Sequence, residues 1–324
     1  MSKLVLIDAF AILHRAFHAI PPLTNKKGEP TNAVYGFVSI ILRVITDLNP
    51  DCLAVCFDVK VPTFRHKEFK EYQSQRPPMA DELSSQIGKA KDFLQAAGIP
   101  IYLKEGYEAD DLLGTIASEV TRNEIENRDR EKKQKINSQI SNSNLKSRID
   151  EVVIVTGDKD MLQLVDKKIK IHMPIVGLSS AKLFGEEEAK ERMGVFPSQI
   201  PDLKSLTGDP SDNYPGVAGI GPKTAIKLLE KYGSLDKIYA HLKEIEPNVR
   251  GKLEKGRKDV LLFHRLATIV KDVDIKIDFA EMKKWNIASS DVLKLFEEFG
   301  FKTLIKRIKE VGEKIDQEKQ GSLF

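Results

Sequence analysis

Apolar positions along the chain keep two different rhythms. Short runs rich in aliphatic and β-branched residues, Lys3 to Asp8, Leu53 to Asp58, Ile99 to Leu103, Val152 to Thr156 and Ile169 to Met173, read as buried strands that end at or near a carboxylate or a turn. Helical patterns separate most of them, as at Ala109, Leu112, Leu113, Ile116, Ala117 and Val120. Strands that alternate with helices predict an α/β domain with a mostly parallel central sheet flanked by helices. Ligands of such sheets bind beyond the carboxyl ends of the strands, where Asp8, Asp58 and Asp158 fall.

The rhythm breaks twice. Between Arg122 and Asp150 the chain is rich in Asn, Ser, Lys, Arg and Glu, with too few apolar residues to bury a face, and reads as a helix extension fading into a flexible insertion. From about Phe184 helical spacing dominates. The expected division is an α/β core over 1–175, a helical region over 176–305, and a charged stem with a tail over 306–324, the stem projecting into solvent.

Composition narrows the class. With 324 residues, 41% hydrophobic and 31% charged, the chain has the profile of a soluble globular protein. No apolar run approaches the roughly 18 residues of a membrane span, and Asp8, His14 and Arg15 interrupt any signal-peptide pattern, so a cytoplasmic location is expected. Cys52 and Cys56, the only cysteines, lie in or beside an apolar run and lack zinc spacing. The net charge is +3; removing Asp8, Asp58 and the seven acids of the three motifs below leaves +12, which suits a polyanionic partner, although charge alone favours a plain solvated surface.

Three acidic motifs carry candidate chemistry. Glu108, Asp110 and Asp111 open a helix, where one or two carboxylates would satisfy the helix dipole and three exceed that need. Asp158 and Asp160 stand where a strand turns into a helix, and Asp209 and Asp212 lie in a turn-rich segment. Each alone is explained by capping or turn chemistry. Together with Asp8 and Asp58 they form an oxygen-only donor set that selects hard ions such as Mg²⁺ or Mn²⁺, a pair of which can activate water for phosphodiester cleavage.

Two further segments point to nucleic acid. Gly216, Gly219 and Gly221 precede Lys223, Thr224 and Lys227 at the start of a helix, a G-x-x-G-x-G spacing with no strand before it, which fits a hairpin gripping a DNA backbone. Phe64 to Arg76 interleaves aromatics with bases, as in segments that hold single strands, or as in an ordinary amphipathic helix.

These residues, with Ala33 to Phe37, Phe57-Asp58, Phe64-Arg65-His66 and Leu206 to Ala225, resemble the 5′-nuclease domain of bacterial DNA polymerase I within the flap endonuclease family, from Leu4 to about Phe301. The resemblance implies a PIN-like metal-dependent nuclease that cuts 5′ flaps, nicked DNA and RNA-primed ends in replication and repair. It implies that Asp8, Asp58, Glu108 and Asp110 hold one metal and Asp158, Asp160 and Asp212 the second, with Asp111 and Asp209 more peripheral. It also implies a helix–hairpin–helix element with a bound K⁺ ion, an arch over about 61–78, and DNA contacts from Tyr35, Arg65, Lys70, Tyr72 and Arg76. The usual arch lysine is replaced by Gln73, and Arg76, Arg65 or Lys70 stand nearby to compensate. The family domain generally lacks the polar insertion after Arg122, and a chain ending at Phe324 has no room for a polymerase domain, so a stand-alone monomer is expected.

Two alternatives stay open: a non-catalytic junction-binding protein, which Gln73 would permit, and a metal-dependent RNase of related fold. At the end of the chain, Gln320, Leu323 and Phe324 resemble the motif by which bacterial replication proteins dock on a sliding clamp.

Overall fold

The computed structural model describes residues 2–134, 149–176 and 180–321. Six strands form one sheet among these residues: β1 (Lys3–Asp8), β2 (Cys52–Cys56), β3 (Ile101–Tyr102), β4 (Glu151–Val155), β5 (Ile169–Val176) and β6 (Ser180–Phe184), in the order β3-β2-β1-β4-β5-β6. The first five run parallel and β6 returns antiparallel along β5. The sheet therefore reaches Phe184, past the expected boundary at 175, because β6 satisfies the backbone of the β5 edge. With four of its five residues exposed, β6 has no strong apolar signal in sequence.

Both faces of the sheet's centre are covered, which is why β1, β2 and β4 read as unbroken apolar runs. Leu4 and Leu6 point into one core with Leu112, Leu113 and Ile116 of the helix Ala109–Gln134. Val5 and Ile7 point into the other, with the helices Ala9–Ala19, Asn32–Leu48 and Ile87–Ala96. Cys52 and Cys56 are free, buried thiols within the sheet.

The C-terminal end corrects an expectation. The helices Ser290–Phe299 and Lys302–Gly321 pack on the second core, where Phe296, Leu304 and Ile308 are fully buried and Val311 and Ile315 are partly so. The charged helix is thus a docked amphipathic element up to at least Ile315, because its Leu304, Ile308, Val311 and Ile315 keep helical spacing. The helix Ala109–Gln134 continues into the polar segment; residues 135–148 of the expected insertion, and Leu323 and Phe324 of the tail, lie outside the described residues. Among the described residues no helix is long and apolar enough to cross a membrane.

Candidate metal centre

Parallel pairing puts the carboxyl ends of the strands on one side. Asp8 ends the central strand β1, opposite Cys56 of β2, while Ile7 lies opposite Val155 of β4, so Asp58 and Asp158 follow directly on either side. Asp8 also caps the helix that follows: its Oδ1 accepts from the Ala11 amide at 3.0 Å, and its Oδ2 accepts from the Thr156 hydroxyl at 2.7 Å. Asp58 Oδ1 accepts from the Ala109 amide at 2.8 Å, which ties it to the helix start that carries Asp110. Glu108 accepts from the Thr63 and Tyr72 hydroxyls, both at 3.3 Å.

Burial and mutual repulsion load this group with charge it cannot easily carry. Burial is the largest cause in raising the Asp8 carboxyl to about 7, opposed by its two hydrogen bonds and assisted by Asp58 and Asp158. Burial likewise lifts Glu108 to about 7 against the pull of Arg65, and raises Asp110 well above the carboxylate range, with Asp158, Asp8, Asp58 and Glu108 adding repulsion. Asp58 is raised too, chiefly by burial.

A second group is tighter. Among the described residues, Asp160, Asp209 and Asp212 are the acids whose oxygens come within 4.8 Å of one another. Asp209, expected at the periphery, is therefore drawn into the centre, whereas Asp158 acts from beside it on both groups. The reason is local. The Asp209–Tyr214 loop closes on itself through Asp209 N to Tyr214 O at 2.8 Å and Tyr214 N to Asp209 O at 3.1 Å. Its base is a crossing of two glycines, Gly208 at φ +79° and Gly216 at φ +67°, so close that a Cβ on Gly216 would lie 2.2 Å from the Gly208 nitrogen. Burial pushes Asp160 to about 7, with Asp158 adding and Lys204 opposing. For Asp209 burial is outweighed by Lys204, which holds it below the usual range.

The segment over 61–78 is a short helix, Phe64–Glu68, followed by turns that fold onto the second group. Gln73, at φ +55°, donates from Nε2 to Asp212 Oδ1 at 3.0 Å, and Arg76 Nη2 reaches the same oxygen at 2.9 Å. Arg76 and Lys70 are exposed.

Arg65 and Tyr72, expected to contact DNA, are buried. Arg65 is 3% exposed and donates to both oxygens of Asp111 and to the carbonyls of Leu266 and Thr268. Asp111, fully buried, also accepts from the amides of Glu108 and Val270, so both of its oxygens are engaged within the protein. Tyr72 is 3% exposed within an apolar cluster of Tyr214, Phe263 and Leu266. Tyr35 packs edge-on against Phe301, ring centroids 5.3 Å apart. Arg65, Asp111 and Tyr72 are buried and Tyr35 is half-buried, each against a partner distant in sequence.

The glycine hairpin joins helix Ile200–Thr207 to helix Pro222–Tyr232, with Gly221 as N-cap. Gly219, Lys223 and Lys227 are exposed, Thr224 is half-buried, and Gly216 is buried in the glycine crossing. Lys252 Nζ donates to the Gly219 carbonyl at 3.3 Å.

Comparison with known proteins decides the family. Residues 3–194 match the profile of the 5′-3′ exonuclease N-terminal resolvase-like domain, and residues 195–291 that of its C-terminal SAM fold. The chain belongs to the 5′-3′ exonuclease family. It is 34% identical to a 5′-3′ exonuclease of Aquifex aeolicus over the whole of both chains. It is 40% identical to DNA polymerase I of Caldicellulosiruptor bescii over 94% of this chain but 33% of that protein, so it spans about a third of such relatives. The fold is shared with a bacteriophage T5 flap endonuclease solved with DNA and metal ions (TM-score 0.63, 17% identity, 97% and 99% of the two chains). It is also shared with flap endonuclease-1 of Methanococcus jannaschii (TM-score 0.53, 16% identity, 98% and 93%). As a member of this family the chain is a nuclease, and its candidate centre is the carboxylate cluster at the strand ends.

Two residues of that centre carry no motif signal. Thr156 holds Asp8 and also accepts from the Asp158 amide at 3.0 Å. Lys204 contacts both Asp160 and Asp209. The only hint of Lys204 in sequence is a lone cation between Leu203 and Leu206 on an otherwise buried helix.

Proposed function

We propose that the chain hydrolyses phosphodiester bonds near the 5′ ends of flapped, nicked or RNA-primed DNA, with two divalent ions held by its carboxylates. The observation that carries this reading is the convergence of eight acids from separate strands and loops into two adjoining groups. Asp8, Asp58, Glu108 and Asp110 would hold one ion and Asp160, Asp209 and Asp212 the other, with Asp158 serving both. The donor set fits: it is all oxygen, and Asp8, Glu108 and Asp160 are each pushed to about 7 by burial, so a divalent cation would relieve them. Bound Mg²⁺ or Mn²⁺ supplies a water activated at neutral pH and charge to stabilise the leaving oxygen.

The chain's own residues then have distinct tasks. Arg76, exposed and resting on Asp212, is the cation placed to meet a phosphate beside the second group. Gln73 holds the turn rather than the phosphate, through its backbone amide and its side chain to Asp212. Lys70 stands exposed on the same segment for the single strand. Gly219 and Gly221 offer backbone amides, Thr224 its hydroxyl, and Lys223 and Lys227 their charge to a duplex backbone. A K⁺ ion at this hairpin would share the carbonyls of which Gly219 already accepts from Lys252. Gln320, Leu323 and Phe324 keep the proposed role of tethering the chain to a bacterial sliding clamp, tested by deleting 320–324 and measuring clamp binding and clamp-free cleavage separately.

End-labelled flap, nicked and single-stranded substrates, digested with and without Mg²⁺ and mapped to the nucleotide, test the activity. Asp58→Ala and Asp158→Ala are expected to bind flap DNA and to lose turnover by roughly 100-fold or more. Near-normal cleavage by both would refute the two-ion assignment.

A further inference from the structure

The second carboxylate group contains a cation of its own. Lys204 enters it from the helix Ile200–Thr207, whose Ile200, Leu203, Ser205 and Leu206 are buried, and only 13% of the Lys204 side chain is exposed. Its ammonium contacts the carboxylates of both Asp160 and Asp209. These are two of the three acids whose oxygens lie within 4.8 Å of one another, so the ammonium sits among the atoms that would ligate an ion. The third, Asp212, is met by Arg76 and Gln73.

Physical chemistry favours such an occupant. Three like charges at this spacing repel, and without a counter-ion they would take up protons or splay apart. A lysine withdrawn from water is itself costly unless carboxylates meet it, which here they do twice. Lysine also suits a replaceable ion, since it is a point charge on a flexible stem, whereas an arginine fork locks onto carboxylates.

We propose that Lys204 is the resident counter-ion of the second metal site: it holds Asp160 and Asp209 together while no divalent ion is bound, and leaves them when one binds. The inference rests on the two-ion reading above. Ammonium and divalent ion compete for the same oxygens, so by linkage each weakens the other. A lysine that served only to shape the site would act in the opposite sense, and its loss would weaken metal binding.

The test is Mn²⁺ titration of the full chain, with free ion read by electron paramagnetic resonance, for the wild type, Lys204→Met and Lys204→Arg. The wild type is expected to bind two ions. Lys204→Met, which keeps the stem and removes the charge, is expected to bind the second ion on the order of tenfold tighter. In EDTA it should melt below the wild type, with Mn²⁺ closing the gap. Lys204→Arg is expected to bind the second ion no tighter than the wild type. Unchanged or weaker second-ion binding in Lys204→Met, beside a wild type that binds two, overturns this inference alone. A wild type that binds no Mn²⁺ overturns the two-ion reading with it. If Lys204→Met folds only when Mn²⁺ is present, the counter-ion role is supported. If it fails to fold in either condition, Lys204 is a packing residue and the proposal falls.

Discussion

The guanidinium of Arg65 meets the carboxylate of Asp111 in a two-bonded fork, Nη1 to Oδ2 at 2.7 Å and Nη2 to Oδ1 at 2.9 Å, with both side chains withdrawn from solvent. This pair joins the segment over 61–78 to the helix Ala109–Gln134, which carries Asp110 and follows Glu108. Removing one partner of a buried pair strands the other, at a cost of about 3–5 kcal/mol. Arg65→Ala should therefore lower unfolding stability by about that amount in urea titration. A variant with wild-type stability and weakened DNA binding would instead return Arg65 to the DNA-contact role.

Arg76 makes the opposite case. Its side chain is 52% exposed, so its ion pair with Asp212 contributes under about 1 kcal/mol after solvent screening. Arg76→Ala should leave the melting temperature nearly unchanged and lower single-turnover flap cleavage by roughly 100-fold, the usual loss for one charge-stabilising donor. An unaltered rate would remove Arg76 from the reaction.

At Gly216 the backbone admits no side chain. With φ at +67° and a Cβ that would meet the Gly208 nitrogen at 2.2 Å, Gly216→Ala must open the loop that presents Asp209 and Asp212. A loss of at least about 2 kcal/mol is expected from overpacking and backbone strain. Mn²⁺ titration should show the second ion lost before the first; two ions bound at wild-type affinity would show that the loop tolerates the change.

Metal and pH are linked with a definite sign. Asp8, Glu108 and Asp160 have folded-state values near 7, against reference values of 3.8, 4.5 and 3.8. Acids raised on folding contribute stability that is present below their unfolded values and lost as pH rises through about 7. Divalent ions bind the ionised folded form and restore it. The rise in melting temperature from EDTA to Mg²⁺ should therefore grow between about pH 5 and pH 8. Taking the difference cancels His14 and His172, whose lowered values act in the other direction. A Mg²⁺ increment independent of pH would show that these acids are not where the ion binds.

Much of this protein is written locally in its chain. Runs such as Leu4 to Ile7 and Val152 to Val155 must be buried on both faces, which forces a covered parallel sheet, and parallel strands bring Asp8, Asp58 and Asp158 to one side whatever the helices do. What the chain could not declare locally depends on partners far away in sequence. Arg65 looks like a DNA-binding cation until Asp111, 46 residues on, and the Leu266 carbonyl, 201 residues on, close around it. Asp209 looks like a turn residue until the glycine crossing folds it toward Asp160. The charged helix from Lys302 looks like a solvated stem until the second core takes up Leu304 and Ile308. Periodicity reports which face of an element must avoid water, whereas a single charge acquires its role only from the groups that tertiary packing sets against it.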